Sequence, residues 1–230
     1  ITTLTNNDTI SGTATNNTGY GINLTNSTIT TLTNSGTISG TAGNDGGYGI
    51  NLTNSTIGTL TNTGTISGEA GGTTGAGILV DRANSVITNL TNHGTITGTA
   101  ADGAGGVIVD RAGTITTLLN TGTITGTATA TEGYGIFVQE ANSSITTITN
   151  TGTITGSDAT NEYDIRVRAD TGTSLTTLNN LQSGLTYDAR LPSNYSTIIR
   201  NLDNYGSVTF SNVVAAAAET VYTPFAGSTD

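Results

Sequence analysis

The chain contains no cysteine, no lysine, no tryptophan and no methionine, and only two of its 230 residues are proline. Without cysteine there is no disulfide framework and no thiolate for a structural zinc site. This suits a chain that crosses a membrane unfolded and then folds without staples. The six basic residues are all arginine, against sixteen acids, for a net charge of −10. A nucleic-acid binder needs a basic stripe, and none exists. Attraction to an anionic membrane surface is disfavoured for the same reason. Charged residues are only 10% of the chain, so the highly charged composition of disordered segments is absent too. Apolar residues reach only 33%, too few for a thick globular core. The longest apolar run, Val213 to Ala218, is too short to span a bilayer. No signal peptide opens the chain and Ile1 falls in mid-pattern, so it is read as a piece of something longer.

What fills the chain is threonine, asparagine and glycine in a repeat. The segment from Ile29 to Gly40 recurs with its first residue at Ile1, Ile29, Ile57, Ile87, Ile115, Ile145 and Leu175, spacings of 28, 28, 30, 28, 30 and 30. A second marker follows each copy, as in Tyr20-Gly-Ile22, Tyr48-Gly-Ile50 and Tyr134-Gly-Ile136. Within one repeat, three short pieces alternate apolar and polar residues, around Leu32, Ile38 and Ile50. Period-two alternation marks strands, and Gly, Asn and Asp clusters such as 43–47 mark turns. Only an Ala-rich stretch near the C-terminus hints at a helical period. Three strands and three turns per 28–30 residues predict an all-β fold, a parallel β-helix (β-solenoid). About six such coils span residues 1–180, and residues 181–230 form an irregular C-terminal cap.

Stacking aligns like positions into ladders. Ile10, Ile38, Ile66, Ile96, Ile124 and Ile154 form one apolar row, and Leu4, Leu32, Leu60, Leu90, Leu118, Ile148 and Leu178 another. Ile22, Ile50, Ile78, Val107, Ile136 and Ile165 form a third, with Leu24 to Val167 beside it. A polar row, Asn6, Asn34, Asn62, Asn92, Asn120, Asn150 and Asn180, falls at the corner before a recurrent glycine. Asparagine tolerates left-handed backbone, can bond its own turn, and can bond stacked copies of itself along an axis. It is read as a structural turn ladder. Gly40 and its equivalents are expected to supply positive φ or close backbone approach. Asp81-Arg82, Asp110-Arg111 and Glu140 are expected to make a small exposed ion-pair stack.

No catalytic, cofactor-binding or metal-binding set emerges. His93 is the only histidine and sits at a turn position. The densest acids, Asp158, Glu162, Asp164 and Asp170, lie near Arg166 and Arg168, with Asp164, Arg166 and Arg168 expected to point outward. Glu162 and Asp164 could pair as acid and base, but a solvated, charge-balanced face is the simpler reading, and the chain is taken as non-enzymatic. The regular surface feature is hydroxyl. Thr37, Ser39, Thr65, Ser67, Thr95, Thr97, Thr123, Thr125, Thr153 and Thr155 flank the second-strand isoleucines in two outward columns. Such Thr-x-Thr arrays resemble the ice-binding faces of antifreeze solenoids. They also suit any exposed strand face.

After Leu178 the period weakens. Both prolines, four of eight tyrosines and two of three phenylalanines fall beyond residue 180. The first coil shows no matching cap, which leaves head-to-tail stacking of copies into filaments as an alternative.

The recurring Leu-Thr-Asn-x-Gly-Thr-Ile-x-Gly with Tyr-Gly-Ile resembles bacterial autotransporter passenger domains. The tail from Leu191 to Tyr195 and Asn204 to Phe210 resembles the segment that ends such passengers before their membrane barrel. The resemblance implies a right-handed, three-sided β-helix, export across two membranes and display at the outer cell surface. It implies a structural or adhesive role, with a host or neighbouring cell, or the chain itself, as partner.

Overall fold

The computed structural model describes residues 1–157, 163–168, 170–180, 182, 185–189, 198–201 and 208–211. Each of the first six coils supplies three strands, of which Thr28–Asn34, Thr37–Ala42 and Gly47–Thr53 are representative. β-Branched threonine and isoleucine favour this extended backbone. No strand pairs with the next in sequence. Each pairs with its copy one coil away, in parallel, giving sheets of eight, six and eight strands. The register matches repeat to repeat: Leu32 faces Leu60, Ile38 faces Ile66 and Ile50 faces Ile78. The chain is thus a β-solenoid.

The apolar rows fill the interior. Leu32, Ile38, Ile50, Ile66, Ile96, Ile124 and Ile136 are fully inaccessible. Burying one such side chain contributes about 1.5–3 kcal/mol, and a coil gains it only when another lies against it. The first strand departs from simple alternation, because Ile29 and Leu32 are both buried three residues apart. The register steps over Thr30 between them. A local bend therefore lets two side chains per strand face inward.

The interior narrows toward the junction of the second and third sheets. A Cβ on Gly68 would sit 1.8 Å from the carbonyl oxygen of Ala76. This glycine is there for close backbone approach; the positive-φ alternative does not apply to it. Left-handed backbone is used at the corner between third and first strands, at Asn26, Asn54, Arg82, Asn84, Arg111, Ala112, Glu140 and Asn142. The two-residue length changes are absorbed in turns: residues 54–55 join strands there in one coil and 82–85 in the next.

Past residue 180, strands Leu185–Ala189 and Val208–Ser211 extend the third sheet, and Ile198–Asn201 extends the first. Asn201 pairs with Asn180, so the coil register persists in the backbone there. The second sheet ends at Thr153–Ser157. Among the described residues two side chains meet its open edge: Asp164, which accepts from Gly156 N, and Gln182. Gln182 accepts from Ile154 N at 2.7 Å and donates to Ile154 O at 2.9 Å. A side-chain amide thereby stands in for the peptide of a missing strand. The Ala-rich stretch near the C-terminus lies outside the described residues.

Candidate functional site

The asparagine row runs inside the solenoid wall. Asn34, Asn62, Asn92, Asn120, Asn150 and Asn180 are fully buried at the ends of the first strands. Each Nδ2 donates to the Oδ1 of the next asparagine, at 2.7–2.9 Å from Asn6 through Asn180. From Asn6 to Asn120 the same Nδ2 also bonds a carbonyl of its own turn and one of the next coil. For Asn34 these are Gly36 O at 3.2 Å and Thr65 O at 3.0 Å. Corner placement, turn bonding and axial bonding all occur, but none of these residues has positive φ. All bonds run one way along the axis, since an amide has its donor and acceptor on different atoms. At the far end, Asn180 Nδ2 donates to Gln182 O at 2.7 Å.

A second polar row, also buried, bonds backbone groups rather than its own copies and has a weaker sequence signal. Ser55, Ser85, Ser143 and Thr173 are buried at the opposite corner. Ser55 Oγ donates to Thr53 O at 2.8 Å and accepts from Ser27 N at 3.0 Å. Its spacing was available in the repeat, but Gly113 interrupts it and serine is frequent elsewhere.

The ten hydroxyl residues named above lie on the second sheet on either side of its inward-facing isoleucines, and none is fully buried. Register brings Thr37, Thr65, Thr95, Thr123 and Thr153 into one column and Ser39, Ser67, Thr97, Thr125 and Thr155 into the other. The first coil extends both with Thr9 and Ser11. No position in either column lacks a hydroxyl. On the first sheet the equivalent columns are broken by Asn89, Leu119 and Asn179.

The charged cluster is less exposed than its sequence implies. Asp81 is only 5% exposed. Arg111, one coil on, donates to it through Nε and Nη2, both at 2.6 Å. Arg82, mostly exposed, approaches the same carboxylate at 3.7 Å. Among the described residues no ion pair joins Glu140 to Arg111, but the Glu140 charge favours that guanidinium and repels Asp110. Burial and the Glu140 charge raise the Asp110 pKa to about 6. The Asp81 hydrogen bond holds the Arg111 pKa above its usual value. Tyr48 is half-buried nearby, and desolvation raises its pKa to about 12.

Asp164 does not point outward. It occupies the position of Gly135 in the coil before and is 8% exposed. Its Oδ1 accepts from Gly156 N at 3.0 Å and its Oδ2 from Thr186 N at 2.8 Å. This carboxylate ties backbone together. Glu162 and Asp158 lie outside the described residues. Arg166 does face outward, over the rings of Tyr134 and Phe137 at 5.2 and 5.8 Å. Arg168 Nε approaches Asp170 at 3.7 Å. His93 stays exposed at its turn, with Nδ1 2.6 Å from Thr121 Oγ1.

The outer face of the third sheet carries a feature that the repeat alone did not disclose. Tyr20 and Tyr48 stack there at 5.7 Å. The next two coils place Ala76 and Gly105 at that position, and Tyr134 and Tyr163 follow. The neighbouring column changes from Asn23 and Asn51 to Leu79, Ile108 and Phe137. These form a small apolar cluster separate from the interior.

Fold and ladders together define a repeat-built β-solenoid with a buried amide spine. The chain matches no protein-family model, no curated protein and no solved structure. Among the described residues no helix is long and apolar enough to cross a membrane, which says nothing of strands.

Proposed function

We propose that this chain is a non-enzymatic structural and adhesive module of a bacterial surface protein, a stiff stalk presented outside the cell to a host or neighbouring cell. The observation that carries the reading is the unbroken amide spine from Asn6 to Asn180. At about 4.8 Å per coil it runs roughly 29 Å. It stiffens the rod without disulfides or metal, which suits a chain that folds after export. The resemblance of its Leu-Thr-Asn-x-Gly-Thr-Ile-x-Gly repeats to autotransporter passengers supports the same location. Antibody against the chain should label intact source cells and block their adherence. Labelling only after permeabilisation would overturn the reading.

A second reading, ice binding, is favoured by the unbroken hydroxyl columns of the second sheet. It requires thermal hysteresis in the purified chain, abolished in the double variant Thr95→Tyr, Thr123→Tyr. Hysteresis that survives those changes would remove the second sheet as its source.

A further inference from the structure

In a solenoid the coils are near-copies, so clustered departures mark something that stacking does not require. Here the departures meet on the outer face of the third sheet. Ile108 lies across Gly105, where other coils carry a ring: a Cβ on Gly105 would be 2.4 Å from Ile108 Cγ1. Beside it opens a recess of about 330 Å³, with Ala104, Ile108, Tyr134 and Phe137 in its lining. Thr74, Asp102, Glu132 and Gln139 also line it. The turns that carry this polar rim are themselves stacked: Gly103 N donates to Thr73 O at 2.8 Å and Glu132 N to Asp102 O at 2.8 Å.

We infer that this recess binds a neutral sugar, as a pyranose unit free or at the end of a glycan. A pyranose has an apolar C–H face and a rim of hydroxyls, which match the apolar lining and the polar rim respectively. Pockets for small ligands run from about 300 to 1,000 Å³, so this one takes one or two rings. Charge narrows the class. Asp102 and Glu132 disfavour an anion, and Arg166 already neutralises Glu132 at 3.2 Å. That leaves one uncompensated carboxylate, a good hydroxyl acceptor and a weak trap for a cation. Arg166 also lies over Tyr134 and Phe137, which fixes the aromatic wall before a ligand arrives. This inference does not depend on display at a cell surface.

The test is ligand-observed NMR of the purified chain with methyl glycosides of glucose, galactose, mannose and N-acetylglucosamine, with ethanolamine and inorganic phosphate as charged probes. An immobilised glycan array separates terminal sugars from free ones. At least one glycoside should bind, with Kd near about 1 mM. Asp102→Asn should weaken it several-fold. Gly105→Tyr with Ile108→Asn restores the tyrosine–asparagine pair of the first coils, should fold, and should abolish binding. No glycoside binding, preference for ethanolamine or phosphate, or sugar binding that survives the refilled recess would each overturn the inference.

Discussion

Asn92 gives the sharpest test of the amide spine. It is fully buried and makes four hydrogen bonds. Its Nδ2 donates to Asn120 Oδ1 at 2.8 Å, Gly94 O at 3.2 Å and Thr123 O at 3.0 Å. Its Oδ1 accepts from Asn62 Nδ2 at 2.8 Å. Asn92→Ala strips Asn120 Oδ1 of that donor and Asn62 Nδ2 of one of three acceptors. Each buried polar group left unsatisfied costs about 1–3 kcal/mol. The void adds to this, and the sum is about 3–5 kcal/mol. Asn92→Asp keeps the shape but turns acceptor against acceptor at Asn120, Gly94 and Thr123, inside a dry wall. The ionised form is then disfavoured and the folded-state pKa of the new acid rises. A raised carboxyl pKa places the better stability at low pH. The penalty is smallest below the unfolded value of about 3.9 and grows as pH rises toward the folded value. Urea unfolding between about pH 4 and pH 7, with amide exchange read coil by coil, reports both effects. Asn89, exposed on the same strand, is the control, and Asn89→Asp should change stability by no more than about 0.5 kcal/mol. The reasoning fails if Asn92→Ala costs under about 1 kcal/mol, or if Asn92→Asp shows no pH dependence beyond that of Asn89→Asp.

Three further outcomes are expected. Gly98→Ala should lower the melting temperature sharply, because its Cβ would stand 2.0 Å from Gly105 O, whereas Gly103→Ala, with nothing nearer than 3.5 Å, should be tolerated; equal melting temperatures would refute the close approach. Gln182→Ala should speed hydrogen exchange at the Ile154 amide and lower stability by about 1–3 kcal/mol, as the second sheet's last edge loses its side-chain cover at Ile154; unchanged exchange would show that the edge is closed by other means. Burial and the Glu140 charge raise the Asp110 pKa to about 6, so its folded-state cost is absent below the unfolded value of about 3.9, grows as pH rises, and is complete above about 6. Asp110→Asn should therefore stabilise at about pH 8 and do little at about pH 3, and melts that shift equally at both would contradict the raised pKa that burial and Glu140 impose.

Much of the fold is legible because one pattern is written several times. A single Leu-x-Asn or Thr-Ile-Ser says little, but the same residues at 28–30-residue intervals leave parallel stacking as the economical way to bury them. Strand content, coil length, the three apolar rows and the asparagine row all follow from that period. Features that depend on direction are harder to read. Asp164 looked outward by alternation, yet it sits where other coils place an inward glycine at a bend, and bends interrupt the period of two. Asp81 looked like one charge in an exposed stack, yet a neighbouring coil's Arg111 closes over it.

The sequence by itself determined that the chain must stack, because no single repeat holds enough apolar surface to form a core alone. It also determined which residues share a row. Only the tertiary structure decided which way those rows face, how the amides divide donor from acceptor along the axis, and that Gln182 ends a sheet. It alone brought Ala104, Ile108, Tyr134 and Asp102 around one recess. The physical reason is that a period specifies neighbours one coil apart. Bends, corners and the reach of side chains across coils depend on the path of the backbone between them.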